Sequence, residues 1–229
     1  MLTNQEEPID RRQLRERVLE RLRADILNGE LKPGEFIRQQ RIAELYGVSQ
    51  MPVREALKKL TAEALVEEIP YRGVRVIQYS LKDIADLFAL RSFLEGRTAN
   101  AAAALITEAD LDNLSTLVKE MKSTAAAKQL ADYRARNRQF HQTIYRASQS
   151  YFLIQTLDKL WETYPTMLPG NFPQATAQPT SARNNRDLEE HNAIVAALRK
   201  RDGDTADRLM HDHIQNAGKE LITTLEGNK

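Results

Sequence analysis

The feature that most constrains this chain is a pair of short amphipathic segments joined by three residues. Apolar residues recur at three- and four-residue intervals in residues 42–46 and again in residues 53–64, which predicts two packed helices. The link, Gly47-Val48-Ser49, combines a residue suited to a left-handed helix end with one suited to capping the next helix. The pattern therefore predicts a helix-turn-helix, a motif whose second helix enters the major groove of DNA.

The outward-facing residues of the second helix and the segment after it extend this prediction. Gln50, Met51 and Arg54 lie at the N-terminal end of the helix, which is the end that contacts base edges in such motifs. Residues 66–69 and 74–77 are β-prone runs around a Pro-Tyr-Arg-Gly turn, which predicts a hairpin, or wing, with a cation at its tip. A capped helix pair alone also occurs in many helical bundles, and the wing is what favours DNA binding.

The order of these segments resembles the winged helix of GntR-family transcriptional regulators. The resemblance runs from Leu31-Lys32-Pro33-Gly34 through Ile42-Ala43-Glu44-Leu45, Gly47-Val48-Ser49 and Pro52-Val53-Arg54-Glu55-Ala56-Leu57 to Arg72-Gly73. It implies that eight residues contact DNA: Arg38, Gln40, Arg41, Gln50, Met51, Arg54, Arg72 and Gly73. Ser49, at the start of the second helix, and Lys58, on its outward face, complete the ten residues of the predicted interface. Gln50 stands where this family often has Arg. Because Gln pairs with adenine and Arg with guanine, we expect an operator different from the commoner ones.

Composition limits the alternatives without identifying the function. The 229 residues are 41% hydrophobic and contain no cysteine, which excludes disulfides and thiolate metal ligands. Residues 1–78 hold 14 Lys and Arg against 13 Asp and Glu, a net charge of +1, so we expect DNA binding to require a homodimer. No apolar run approaches the length of a membrane span and the N-terminus has no apolar signal core, so we expect a cytoplasmic protein without a membrane partner.

The hydrophobic pattern after residue 79 is helical to the C-terminus. It predicts a mostly α chain with two domains, a winged helix-turn-helix in residues 1–78 and an all-α helical bundle in residues 79–229. Six helices are predicted in the second domain, near residues 81–105, 108–125, 127–148, 150–163, 183–201 and 204–226. Thr107 with Asp110, and Asp204, are predicted to cap two of them. Residues 165–181 contain four prolines and are predicted to form a loop long enough to act as a lid or a mobile cover.

All four histidines lie in the second half, and helical periodicity separates them. His191 and His213 fall on apolar stripes, and His141 shares a helical side with Asn137, whereas His211 falls on a polar face and is expected to be exposed. Three inward histidines from three helices, with one amide oxygen, suit a divalent metal. The alternative is that each is a hydrogen-bonded core histidine, which is the commoner case for any single one.

The same residues resemble the metal motifs of the FCD-type C-terminal domain of the FadR subfamily, in its six-helix, VanR-like form. The resemblance rests on Asn137-Arg138-Gln139-Phe140-His141, Glu190-His191 and Met210-His211-Asp212-His213. It implies Asn137, His141, His191 and His213 as ligands of Zn, Ni or Mn. Family members more often have Asp where Asn137 stands, and a neutral amide binds a dication less strongly than a carboxylate does.

Arg91 falls on the apolar stripe of the first helix in this domain, where an unpaired cation is costly. Two roles stay open for it. One is a salt bridge to Glu95, one turn further on, and the other is the binding of an anionic effector, commonly a carboxylate that also approaches the metal. The family resemblance favours the effector, because effectors of the subfamily are mostly small organic acids.

Three functions are consistent with these features. We favour a dimeric regulator, most readily a repressor, that binds double-stranded operator DNA and responds to an effector. The second is a metal-dependent enzyme, since a histidine site with open positions can activate water. Against it, no carboxylate stands beside the histidines at a known catalytic spacing, and a winged helix would be unexplained. The third is a scaffold in which the histidines and Arg91 are structural.

Overall fold

The computed structural model of the protein describes residues 11–126, 129–171 and 181–227. Within these ranges the chain forms nine α-helices and one three-stranded sheet. The chain divides into two compact units, residues 1–80 with 162–173 and residues 81–161 with 174–229. The predicted fold class, a winged helix-turn-helix followed by an all-α part, is confirmed. The domain boundary between residues 78 and 79 stays a prediction.

The first unit is built on the predicted helix-turn-helix. Its elements are α1 (Arg11–Leu27), β1 (Phe36–Ile37), α2 (Gln39–Tyr46), α3 (Gln50–Ala62), β2 (Val66–Ile69) and β3 (Gly73–Val76). Gly47 ends α2 in the left-handed conformation, with φ 67°. Ser49 occupies the N-cap position of α3 in an extended conformation, and Pro52 lies in the first turn, where it removes no intrahelical hydrogen bond.

The core of this unit is formed by apolar side chains. Buried side chains of α1 and α3, such as Leu22, Val53 and Leu60, pack against the inner face of the sheet. Burying a side chain of this size contributes roughly 1.5–3 kcal/mol. The sheet order is β1-β3-β2, with both neighbours antiparallel to β3, so the wing predicted from residues 66–77 is present. Strand β1 was not predicted, because two residues are too few to show a period.

Two polar contacts fix α1 on the helix-turn-helix. The guanidinium of Arg23 donates to both carboxylate oxygens of Glu63, at 2.9 and 2.6 Å. The hydroxyl of Tyr46 donates to Asp25 at 2.5 Å, and burial together with this carboxylate raises the pKa of Tyr46. Both contacts involve partners far apart in the sequence, so they hold α1 in one orientation against α2 and α3.

The six remaining helices of the described residues are α4 (Leu81–Leu105), α5 (Glu108–Ala126), α6 (Leu130–Ala147), α7 (Tyr151–Asn171), α8 (Ser181–Arg199) and α9 (Gly203–Gly227). They belong to the second unit, apart from the part of α7 after Trp161, which is grouped with the first unit. Helices α4 and α9 run antiparallel and very close together, because glycines replace larger side chains at their contacts. A Cβ on Gly218 would lie 2.7 Å from Cβ of Phe88, and one on Gly96 would lie 3.2 Å from the carbonyl oxygen of Asp207.

The structure corrects two details of the predicted helices. The loop predicted for residues 165–181 is wrong at its start, because α7 continues to Asn171. Proline fixes φ near the helical value and removes only one hydrogen bond, so a helix can continue through it at a cost. The rest of the predicted lid, residues 172–180, lies outside the described residues, as do residues 127–128 of the predicted third helix.

The second correction concerns helix capping. Thr107 and Asp110 form the predicted reciprocal capping box, with Asp110 N–H donating to the Thr107 hydroxyl at 3.1 Å. At α9, however, the helix begins at Gly203 and the side chain of Asp202 accepts the Thr205 N–H at 3.0 Å. Asp202 is therefore the cap in place of Asp204, because the helix starts one residue earlier than the pattern indicated.

None of the helices in the described ranges combines the length and apolarity needed to cross a bilayer.

Candidate nucleic-acid interface and metal centre

All ten residues predicted to contact DNA are exposed. They lie before and in α2 (Arg38, Gln40, Arg41), before and on α3 (Ser49, Gln50, Met51, Arg54, Lys58) and in the turn of the wing (Arg72, Gly73). The side chain of Arg54 is 53% exposed, and its Nη2 lies 3.5 Å from Sδ of Met51. Its guanidinium is thus outside the core and near the N-terminal end of α3, as a base contact requires.

The wing presents Arg72 to solvent and neutralises Arg75. Two nitrogens of Arg75 donate to Oε1 of Glu67 on the facing strand, at 3.1 and 2.7 Å. The N–H of Arg72 donates to the carbonyl of Ile69 at 3.0 Å, which closes the turn and leaves its side chain exposed. Tyr71, with φ 62°, is fully exposed beside it. No role was predicted for Tyr71 from the sequence, although its position in the turn indicated an exposed side chain.

Three histidines from three helices converge in the core of the second unit. His141 of α6, His191 of α8 and His213 of α9 are all buried, and one ring nitrogen from each lies within 4.8 Å of the other two. Asn137 is half-buried one turn before His141, and its role as a fourth ligand stays a prediction. His211 is half-buried, so the expectation of an exposed side chain is wrong. Helix α9 packs against both α4 and α8, which cover more than one side of it.

Two carboxylates that were given no part in the metal site hold the histidine rings. Oε2 of Glu95 lies 2.7 Å from Nδ1 of His141, and Oε2 of Glu190 lies 2.7 Å from Nδ1 of His213. Glu95 had been considered only as a partner for Arg91, and Glu190 only as part of a family motif. Glu95 could have been singled out from the sequence, because it falls on the buried stripe of its helix, where a carboxyl needs a partner.

The charges of this cluster follow from burial and from Arg91. Burial alone would raise the pKa of Glu95, but Arg91 and His141 lower it to about 2, so the carboxylate is ionised near neutral pH. Burial lowers the pKa of His141, although Glu95 opposes this change. A neutral imidazole facing an ionised carboxylate donates its proton from Nδ1. Nε2 of His141 is therefore the nitrogen with a lone pair.

Arg91 forms the salt bridge that was one of its two predicted roles. Its Nε donates to Oε1 of Glu95 at 2.9 Å, and its guanidinium carbon lies 3.9 Å from the centre of the Trp161 ring. Only 3% of Arg91 is exposed, so an external anion would need a path into the helical core to reach it. The salt bridge is confirmed, and the role in effector binding stays a prediction.

The donor set of the histidine cluster fits a first-row divalent metal. Three imidazoles offer nitrogen donors, and two of them have their other nitrogen held by a carboxylate, as is usual for ligating histidines. The site is buried, and Phe140 and Trp161 pack against the rings. A second group, Asp187, Glu190 and His213, also brings one donor atom each within 4.8 Å.

A winged helix with an exposed, cationic recognition surface, followed by an all-α unit with a buried histidine cluster, defines a DNA-binding regulator with a second, helical domain. Comparison with known proteins gives the family. Residues 14–76 match the family described as bacterial regulatory proteins, gntR family, and residues 86–216 match the FCD domain. The chain therefore belongs to the GntR family of transcriptional regulators and carries an FCD domain.

Individual relatives agree with this assignment over most of their length. The chain is 31% identical to the transcriptional regulator LutR of Bacillus subtilis, covering 89% of this chain and 99% of the relative. It is 28% identical to the transcriptional repressor RspR of Escherichia coli, covering 87% and 85%. The solved structure of E. coli McbR/YncC has the same fold, with a TM-score of 0.66 and 24% identity over 92% of this chain and 97% of that one. The protein is a transcriptional regulator and not an enzyme.

Proposed function

We propose that this protein is a homodimeric repressor whose affinity for its operator changes when a small organic acid binds at a metal site in the FCD domain. The observation that carries the proposal is the convergence of three buried imidazoles in the second unit of a DNA-binding chain. The relatives RspR and GlaR of E. coli, which are named as repressors, support the direction of regulation. Binding to bacterial DNA would place the protein in the cytoplasm.

In the proposed complex, the N-terminal end of α3 enters the major groove. Gln50 and Arg54 contact base edges there, because both are exposed on the first turns of the helix. The exposed residues at the start of α2 and the tip of the wing contact phosphates, which fix the register of the protein on the duplex. Arg75 is left out of this interface because Glu67 already neutralises it.

His141, His191 and His213 would hold the metal, with Asn137 as a fourth ligand. Three imidazoles and an amide carry no negative charge, so the bound cation would keep its full positive charge. Bound there, Zn, Ni or Mn would supply a Lewis-acidic position that attracts a carboxylate. An effector held in this way would favour one arrangement of the dimer and thereby change operator affinity.

Dimer formation is proposed to use the helical domain. Leu90 and Phe93 lie three residues apart on α4, and their exposed fractions are 45% and 60%. Tyr151 and Phe152 in the first turn of α7 are also exposed, and their rings contact each other with centroids 5.3 Å apart. Exposed apolar side chains of this size are typical of interaction surfaces. A two-fold dimer would also double the modest basic surface of one chain.

The experiment that tests the proposal is a gel mobility shift with DNA from the protein's own promoter region. We expect a sequence-specific complex that weakens steeply as salt is raised. Arg54→Ala should weaken this complex by about 10- to 100-fold without changing the fold, because one bidentate base contact contributes about that much to affinity. The matched control is Arg208→Ala, which removes an exposed arginine of α9. Equal binding by the wild type and Arg54→Ala would refute the placement of the recognition helix.

A further inference from the structure

We propose that Glu95 and Glu190 are positioning residues of the metal centre, and that Arg91 acts on that centre through Glu95. Each carboxylate accepts a hydrogen bond from Nδ1–H of one histidine, so that Nε2 of His141 and of His213 is the nitrogen presented to a metal. The proposal rests on the metal site proposed above, and it gives Arg91 a role other than effector binding.

Glu95 links two helices through separate oxygens. Oε1 accepts from Arg91 on the same helix at 2.9 Å, and Oε2 lies 2.7 Å from Nδ1 of His141 on α6. Because the carboxylate is buried and each oxygen has its own partner, it has one orientation available. The ring of His141 is therefore fixed both in tautomer and in direction.

Glu190 repeats the arrangement at the second histidine. Its Oε2 lies 2.7 Å from Nδ1 of His213, and its Oε1 accepts from the side-chain amide of Asn216 at 3.1 Å. Asn216 does for Glu190 what Arg91 does for Glu95, since it occupies the oxygen that the histidine does not use. Two of the three converging rings are thus held in the same way, each by a carboxylate from a different helix.

The position of Arg91 explains why a cation lies in an apolar core. Its guanidinium is stacked on Trp161 and bonded to Glu95, so it keeps the carboxylate in place from the side opposite His141. A buried ion pair often contributes little to stability compared with apolar side chains of the same volume. Stability alone therefore gives a weak reason for this pair, whereas fixing a metal ligand requires a charged or polar acceptor at residue 95.

A pair of double variants separates the positioning role from the ion pair. Arg91→Met/Glu95→Gln and Arg91→Met/Glu95→Met both remove the two buried charges. Only the first keeps an oxygen that accepts from Nδ1 of His141. We expect the Gln form to bind Ni²⁺ with nearly wild-type affinity by calorimetry. The Met form should bind about 10- to 100-fold more weakly, the usual effect of losing such a partner.

A second pair of variants and a spectroscopic measurement give tests that do not depend on whether the variants at residue 95 fold. Glu190→Gln and Glu190→Met change a carboxylate that is partly exposed and should show the same ranking. The ¹⁵N shifts of the imidazoles, measured without metal, report the tautomer. We expect His141 to carry its proton on Nδ1 in the wild type and in the Gln form, and to shift towards the Nε2–H tautomer in the Met form.

The outcomes distinguish this proposal from the one on which it rests. Wild-type protein that binds no Ni²⁺, Zn²⁺ or Mn²⁺ would overturn both. Normal wild-type binding with equal affinities in the Gln and Met forms, at both carboxylates, would overturn only the positioning role. Equal loss in both forms at residue 95 would assign the effect to the ion pair and would also overturn it.

Discussion

Each buried imidazole of the FCD domain has a different environment, although the rings lie close together. The ring of His141 is stacked against His213, with centroids 5.4 Å apart and planes at 21°. His191 lies edge-on to Phe140 at 4.4 Å and is 4.5 Å from His213. His191 therefore contacts both an apolar wall and a second ring, and it has no exposed surface. Its removal would leave only two of the three converging imidazoles.

At the residue scale, His191→Ala should abolish stoichiometric metal binding, because two imidazoles and an amide hold a divalent cation weakly. The measurement is calorimetry with Ni²⁺, supported by elemental analysis of the purified protein. His211→Ala is the matched control, since His211 lies on the same helix as His213 but outside the converging group. Unchanged stoichiometry in His191→Ala, or equal losses in the two variants, would contradict the assignment.

At the element scale, the contact between α4 and α9 determines where the residues of the proposed metal centre meet. Helix α4 carries Glu95 and helix α9 carries His213, and the glycines along their interface allow the backbones to approach. Gly218 accommodates Phe88, and Gly96 accommodates Asp207. A larger residue at either glycine would force the helices apart, and Glu95 and His213 would move with them.

Gly218→Ala is expected to lower the free energy of unfolding by about 1–3 kcal/mol, because its Cβ would lie 2.7 Å from two carbon atoms of Phe88. Thermal denaturation should therefore show a melting temperature lower by about 2–4 °C for each kcal/mol lost. Gly227→Ala in the same helix is the control, since a Cβ there meets nothing within 4 Å. Equal melting temperatures for the two variants would show that Phe88 moves aside without cost.

At the scale of the whole molecule, the charge of one chain is small for a DNA-binding protein. The net charge is +1, and several cations of the first unit are paired with carboxylates, as Arg23 is with Glu63. Affinity for an operator must then come from specific contacts repeated by symmetry more than from bulk charge. This is the physical reason for expecting two copies of α3 on one operator, joined through the helical domain.

Phe93→Arg should convert the proposed dimer to a monomer, because a charge would replace an apolar side chain in the proposed interface. Size-exclusion chromatography with light scattering measures the mass, and a mobility shift measures the accompanying loss of operator binding. Thr116→Arg is the control, since it adds the same charge at an exposed position of α5. A Phe93→Arg protein that remains dimeric would exclude this face of α4.

The sequence by itself determined the helix-turn-helix, the wing, the all-α second part and the inward direction of three histidines. These features depend on short-range patterns: a glycine at a left-handed helix end, a three- and four-residue apolar period, and a turn between two β-prone runs. Periodicity states which side of a helix is buried. It does not state which other helix will cover that side.

Only the tertiary structure decided which side chains meet. It brought together His141, His191 and His213, which are up to 72 positions apart by their residue numbers, and it placed Glu95 and Glu190 against their rings. It also showed the salt bridge between Arg91 and Glu95, which was one of the two roles left open for Arg91. The structure also showed that α7 continues past Pro165 to Asn171, which the turn propensity of the prolines did not indicate.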